Sequence, residues 1–191
     1  SRYETGKVIE QPLASYIKLP GQLKPFEEVN IYARVNGFIQ SVNVDRGSVV
    51  RKNNILLTLE APEIESQVQA AMSKYTHAQE NAAASKDKYK RLLEASKEAG
   101  AVAPLDLDNA LSQMKADEAV MMAERSNMEA MNNIKSYLQV TAPFDGVIIQ
   151  RNVSAGTLVG PGSKADIPLL VLQHLQKLRL EVFIPEAYVD K

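Results

Sequence analysis

The sequence predicts an α+β protein in which a small β module is interrupted by a long antiparallel helical hairpin, and three observations carry that prediction. Residues 33–50, ARVNGFIQSVNVDRGSVV, lie without a gap over residues 142–159, APFDGVIIQRNVSAGTLV, and seven of the eighteen positions are identical. Such a match marks an internal duplication. Between the copies, residues 62–138 hold a single glycine, Gly100, and are rich in the helix formers Ala, Glu, Gln, Lys and Met. Small and apolar residues in that block recur at alternating spacings of four and three, the signature of a coiled-coil seam.

In chain order, residues 1–32 read as N-terminal strands, with ASYIKLPGQLKP a strand region broken at Pro20-Gly21. Residues 33–61 form the first half-motif. Asn36-Gly37 reads as a two-residue turn with glycine at positive φ, Gly47 marks a second turn, and NILLTLE closes the copy as a buried strand. Residues 62–138 form the hairpin. Its first helix runs from Pro62, a first-turn proline, to Glu98, with Glu63 and Glu65 at the positive end of the helix dipole. Its seam is Ile64, Val68, Ala71, Tyr75, Ala78, Ala82, Ser85, Tyr89, Leu92 and Ser96. Gly100 supplies a stop and Pro104 a restart, which places the turn near 99–104. The second helix carries Leu107, Met114, Met121 and Met128 at intervals of seven, with Ala110, Leu111 and Met131 beside them. Two long helices joined by a short turn run antiparallel, and at about 1.5 Å per residue they project well beyond a small β domain.

Residues 139–173 repeat the half-motif with Asp145-Gly146 as the turn, Gly156 as the second turn and PLLVLQ as the closing strand. Residues 174–191 open a further strand, LRLEVFI, with Leu178, Leu180, Val182 and Ile184 on one face; the N-terminal GQLKP region is its expected partner. His174 reads as a linker residue between the two.

Composition narrows the function. Lys+Arg number 22 against Asp+Glu 23, a net charge of -1, so no global field favours nucleic acid. With no cysteine, the chain has no disulfide, thiolate metal site or cysteine nucleophile. The longest apolar run, IPLLVL, is far short of the roughly 20 residues of a spanning helix. No nucleophile elbow, phosphate loop or HExxH is present, so neither catalysis nor a cofactor is expected. His77 falls beside the seam, as a solvated residue. Five of the six methionines lie on the second helix; their heptad spacing favours core filling over thioether binding of Cu(I) or Ag(I).

The paired half-motifs resemble lipoyl and biotinyl domains, in which the turn between halves reads EAMKM and the lysine is modified. Here the matching stretch is EAPEI, residues 60–64, and Glu63 stands at the lysine, so it offers no amine to acylate. Such a domain split by a hairpin and flanked at both ends by partial β-barrel strands resembles the periplasmic adaptors, or membrane fusion proteins, of tripartite efflux pumps. The resemblance rests on residues 19–60, on the hairpin shoulder YKRLLEASKEAGAVAPLDLDNA, and above all on TAPFDGVI followed by VSAGTLV. The resistance-nodulation-division (RND) subgroup is the nearest in style.

That resemblance implies a split lipoyl-like, or barrel-sandwich hybrid, domain in the periplasm of a Gram-negative cell. It implies self-association into a ring, a hexamer or one built of dimer units, around an inner-membrane transporter, with hairpin tips engaging an outer-membrane channel. The family's tip motif of arginine, leucine and serine falls on Lys88, Leu92 and Ala103, of which only Leu92 matches; Arg91 is the candidate replacement for the guanidinium, and Leu105 completes the expected partner-binding set. SRYETGKVIEQ lacks a leader pattern, so a signal or lipid anchor is expected upstream of Ser1, and the family continues beyond Lys191. Competing readings are an adaptor of an ABC-type or type I secretion exporter and an unmodified carrier domain.

Overall fold

Alternation of apolar and polar residues builds two four-stranded sheets. In the computed structural model, residues 3, 6–10, 16–98, 100–162 and 167–186 are described. Strands β1 (Gly21–Ile31), β2 (Gly37–Val42), β3 (Val49–Val50) and β4 (Ile55–Glu60) precede helices α1 (Pro62–Ala95) and α2 (Pro104–Ser136). Strands β5 (Gln139–Thr141), β6 (Gly146–Arg151), β7 (Leu158–Val159) and β8 (Leu170–Val182) follow. The sheets are ordered β1-β8-β6-β3 and β5-β4-β2-β7. Each therefore mixes strands from both copies of the repeat.

The duplication is a pseudo-twofold in three dimensions. β2 pairs with β7 through Gly37↔Val159 and Phe38↔Leu158, and β6 pairs with β3 through Gly146↔Val50 and Val147↔Val49. Loop hydrogen bonds repeat likewise: the Gly47 amide donates to Ile148 O and the Gly156 amide to Ile39 O, both at 2.7 Å. The largest fully buried side chains are Ile39, Leu56 and Leu57 from the first copy and Ile148, Leu170 and Leu172 from the second. Each such side chain contributes about 1.5–3 kcal/mol of burial, so neither half has a complete core without the other. An irregularity in the β4–β5 ladder between Ile55 and Leu57 breaks the strand's alternation, which allows adjacent Leu56 and Leu57 both to face inward.

Four sequence expectations change. Gly37 and Gly146 do not sit at positive φ; they open β2 and β6. Glycine is required there by close approach: a Cβ at position 37 would lie 2.9 Å from Glu60 O, and one at 146 would strike Gln173 O. Of the glycines that the two copies share, the ones at positive φ are Gly47 and Gly156, at +89° and +84°. PLLVLQ and LRLEVFI are not two strands with a linker, because β8 runs unbroken through both and pairs with β1 from Ile31↔Leu170 to Gly21↔Val182. His174 accordingly lies within β8, its Nδ1 2.8 Å from Asp145 O and its ring set edge-on to Phe26 and Phe144. The first helix ends three residues before Glu98, with Ser96 as C-cap. Of the expected N-terminal strand region, Ala14 and Ser15 lie outside the described residues, residues 16–20 are not strand, and β1 starts at Gly21, past the Pro20 break.

Candidate functional site

The hairpin is the feature that a β module of this size does not need for its own stability. Every seam residue predicted on α1, from Ile64 to Ser96, is buried or half-buried, and the other described α1 residues are exposed. Its tightest positions are Val68, Ala71, Ala78 and Ala82. With 34 residues, α1 extends about 51 Å. α2 returns alongside it, and Lys86 Nζ reaches across to Glu118 Oε1 at 3.6 Å. Met114, Met121, Met128 and Met131 are half-buried in the seam, whereas Met122 is 66% exposed. The periodicity did not announce three acids, Asp117, Glu118 and Glu124, that also turn partly inward. One carboxylate oxygen of Glu124 is enclosed without a hydrogen-bond partner.

The hairpin is joined to the sandwich without a flexible connector. Only Ala61 separates β4 from α1, and Pro62 at the first helical position has no amide to continue the strand ladder while its φ suits a helix. Ala61 and Leu138 are buried in the sandwich core, Ile64 packs against it, and the Leu59 amide donates to Leu138 O at 2.7 Å. The coiled-coil seam therefore begins where the β core ends.

At the far end, residues 96–103 connect the helices, with Gly100 at φ +81°. Lys88 and Arg91 are exposed on the last turns of α1. Leu92 is half-buried in the seam, and the apolar side chains open to solvent are Leu93 at 43% and Leu105 at 69%. Leu93 follows a seam position, so the heptad pattern does not mark it. Ala103 is the N-cap of α2 and makes no side-chain capping bond; a serine in that place would satisfy an amide of the first turn, worth about 1 kcal/mol. Lys88, Arg91, Leu92, Ala103 and Leu105 thus share the distal end of one rod. Among the described residues no group of three or more His, Asp or Glu side chains is placed to hold a metal, and no helix is long and apolar enough to cross a membrane.

In this split sandwich the β core continues into a two-helix rod that carries its turn about 51 Å from the body. The chain belongs to the CzcB-like barrel-sandwich hybrid domain family, whose model matches residues 27–165, and so to the membrane fusion protein family. It is 27% identical over 157 residues to the efflux pump periplasmic linker BepF of Brucella suis, covering 82% of this chain and 38% of that protein. It is 28% identical over 155 residues to the membrane fusion protein MtrC of Neisseria gonorrhoeae, covering 80% of this chain and 37% of that one. The chain thus spans well under half the length of these relatives. The fold is similar to that of MacA from Actinobacillus actinomycetemcomitans, with a TM-score of 0.77 and 22% identity over 90% of this chain and 56% of that one.

Proposed function

We propose that this chain is the central portion of a periplasmic adaptor of a tripartite multidrug efflux pump, and that it bridges an inner-membrane RND transporter to an outer-membrane channel. The observation that carries this reading is the continuity of core into rod: a seam about 51 Å long, rooted in the sandwich through Ala61, Ile64 and Leu138, transmits position rather than chemistry. In this reading several copies form a ring, six in the full assembly, and the rods gather into a conduit. The parent protein is anchored to the inner membrane by a lipid or signal segment upstream of Ser1. At the tip, the exposed Leu93 and Leu105 supply apolar contact, and Lys88, Lys90 and Arg91 supply positive charge for an acidic channel rim. Leu92 and Ala103 set the geometry of the turn more than they touch the partner.

The test is in cells. A photo-reactive amino acid at Leu105 of the full-length protein should capture an outer-membrane channel, and the inner-membrane protein co-purifying with it should be an RND transporter. Capture of an ABC transporter would move the assignment to the other exporter class, and capture of no channel would overturn the bridging role. Charge reversal at Lys90 and Arg91 should impair export and leave helix content unchanged.

A further inference from the structure

The rod stands on a narrow base. Its only covalent attachments are to the adjacent strands β4 and β5, and a cleft opens on each flank of that base. On the α2 side a cleft of about 690 Å³ lies between the edges of β1 and β5. On the α1 side one of about 420 Å³ lies beside Phe38, Glu60, Pro62 and Leu158. The buried anchors Ala61 and Leu138 hold the foot of the rod in place, but they sit at the pivot and exert little leverage on its tilt. Sway toward either flank is opposed by whatever crosses the clefts.

A side-chain contact between described residues spans the larger cleft. The Arg34 guanidinium, from the segment between β1 and β2, lies 5.2 Å from the centroid of the Tyr137 ring, and Tyr137 is the C-cap of α2. We infer that Arg34 is a positioning residue, which latches the hairpin to the sandwich through Tyr137 and fixes the angle at which the rod projects.

The duplication provides an internal control. The repeat places Pro143 opposite Arg34, and the same offset sets Glu28 opposite Tyr137. The other half of the module continues β8 and β1 as a strand ribbon and carries no rod at this point; Pro143 and Glu28 form no such pair, and the ribbon's own cation–π contacts, Arg179 and Lys177 over Phe26 at 4.9 and 5.8 Å, tie β8 to β1 and hold no helix. At the positions that the repeat equates with Arg34 and Tyr137, cation and aromatic ring occur together only where the rod is attached. The choice of an arginine fits as well, since a planar guanidinium stacks on an aromatic face in a way that an ammonium does not. Both residues are exposed, so they add little to the core and their value lies in orientation.

The absence of cysteine gives a clean background for labelling. Spin labels at Gln150→Cys on the sandwich and Ala119→Cys on α2 report the tilt of the rod, and a Ser73→Cys, Ala119→Cys pair within the hairpin serves as the control. An exposed cation–π contact corresponds to roughly a two- to fivefold bias in population. Arg34→Ala and Tyr137→Leu should therefore raise the share of displaced sandwich-to-rod distances by about that factor, with the control distances and the melting temperature unchanged. Tyr137→Phe, which keeps the ring, should restore the narrow distribution. An unchanged distribution in both Arg34→Ala and Tyr137→Leu, or a Tyr137→Phe variant as broad as Tyr137→Leu, would overturn the latch. The consequence for export rests on the adaptor reading and separates from it: broadened distances with normal export in cells leave the latch intact and count against a role for a fixed rod.

Discussion

The two halves of the β module begin alike and end differently. β4 pairs with β5 through Leu57↔Val140 and Thr58↔Gln139, and β8 pairs with β1 through Leu170↔Ile31 and Val171↔Asn30, in the equivalent register. Past this point one strand pair becomes two helices and the other becomes a ribbon reaching Val182↔Gly21. The divergence is carried by few residues. Glu60 is followed by Ala61-Pro62, whereas Gln173, its counterpart opposite β6, is followed by His174-Leu175. A proline removes a ladder donor and presets the helical φ, and a histidine and leucine allow the strand to continue. One duplicated pair of strands thus serves as a socket for two appendages, chosen by the residues just outside it.

If the halves are equivalent in energy as well as in shape, matched deletions should cost the same. Ile39 and Ile148 are 1% and 0% exposed at corresponding positions. Ile39→Ala and Ile148→Ala should each destabilise the chain by about 2–5 kcal/mol, with a difference between them of no more than ~1 kcal/mol. Chemical denaturation measures both. A much larger loss for one of them would mean that a single half nucleates the sandwich and the other is draped over it.

The glycines give the next effect in size and separate two reasons for the same residue. Gly146→Ala would press a methyl group onto Gln173 O and should cost about 1–3 kcal/mol. Gly47 has open space around its missing Cβ, and its φ of +89° is the obstacle. Gly47→Ala should cost about 1–2 kcal/mol through backbone strain alone. Gly47→Asn should recover part of that loss, since asparagine tolerates the left-handed region, and Gly146→Asn should recover none.

These positions also mark what the sequence made legible. The duplication, the seam on α1 and the two first-turn prolines were readable because each is a periodicity or a local rule written into consecutive residues. The role of Gly37 and Gly146 was not, since closeness to a carbonyl on a partner strand depends on how β2 meets β4 and β6 meets β8. His174 was misassigned for the same reason: nothing in its neighbours indicates that Phe26, Phe144 and the Asp145 carbonyl converge on it. The hairpin tip was readable in part. Leu105, Lys88 and Arg91 were plain from the sequence, whereas the exposure of Leu93 and the contact between Arg34 and Tyr137 depend on the folded chain.

Within the rod, the helices differ in how well they follow the heptad rule. α1 keeps its charges off the seam, and α2 brings Asp117, Glu118 and Glu124 partly into it. An enclosed carboxylate oxygen without a partner is a cost, so Glu124→Leu should stabilise the hairpin by roughly 1 kcal/mol, read as a higher denaturation midpoint of the helical signal. No gain on substitution would mean that this carboxylate is hydrogen-bonded in solution.

The smallest expected effect comes from a place where the copies differ in charge. Asp45 occupies the loop between β2 and β3, and its counterpart between β6 and β7 is Ser154. The Arg46 amide donates to Asp45 Oδ1 at 2.8 Å, and Arg151 Nε, from the other copy, donates to the same oxygen at 3.0 Å. Both favour the ionised form and hold this carboxyl below its ordinary value of 3.8. The folded state therefore binds this proton less readily than the unfolded chain does. Whatever stability the pair contributes is fully present above about pH 4 and fades as the pH falls through the folded-state value. Because the Asp45 side chain is 72% exposed, the gain is small and screened by salt. Asp45→Asn should leave the melting temperature at neutral pH only slightly lower and should flatten its decline below the ordinary carboxylate range. A variant that declines with acid as steeply as the parent would show that Asp45 and Arg151 do not staple the two copies together.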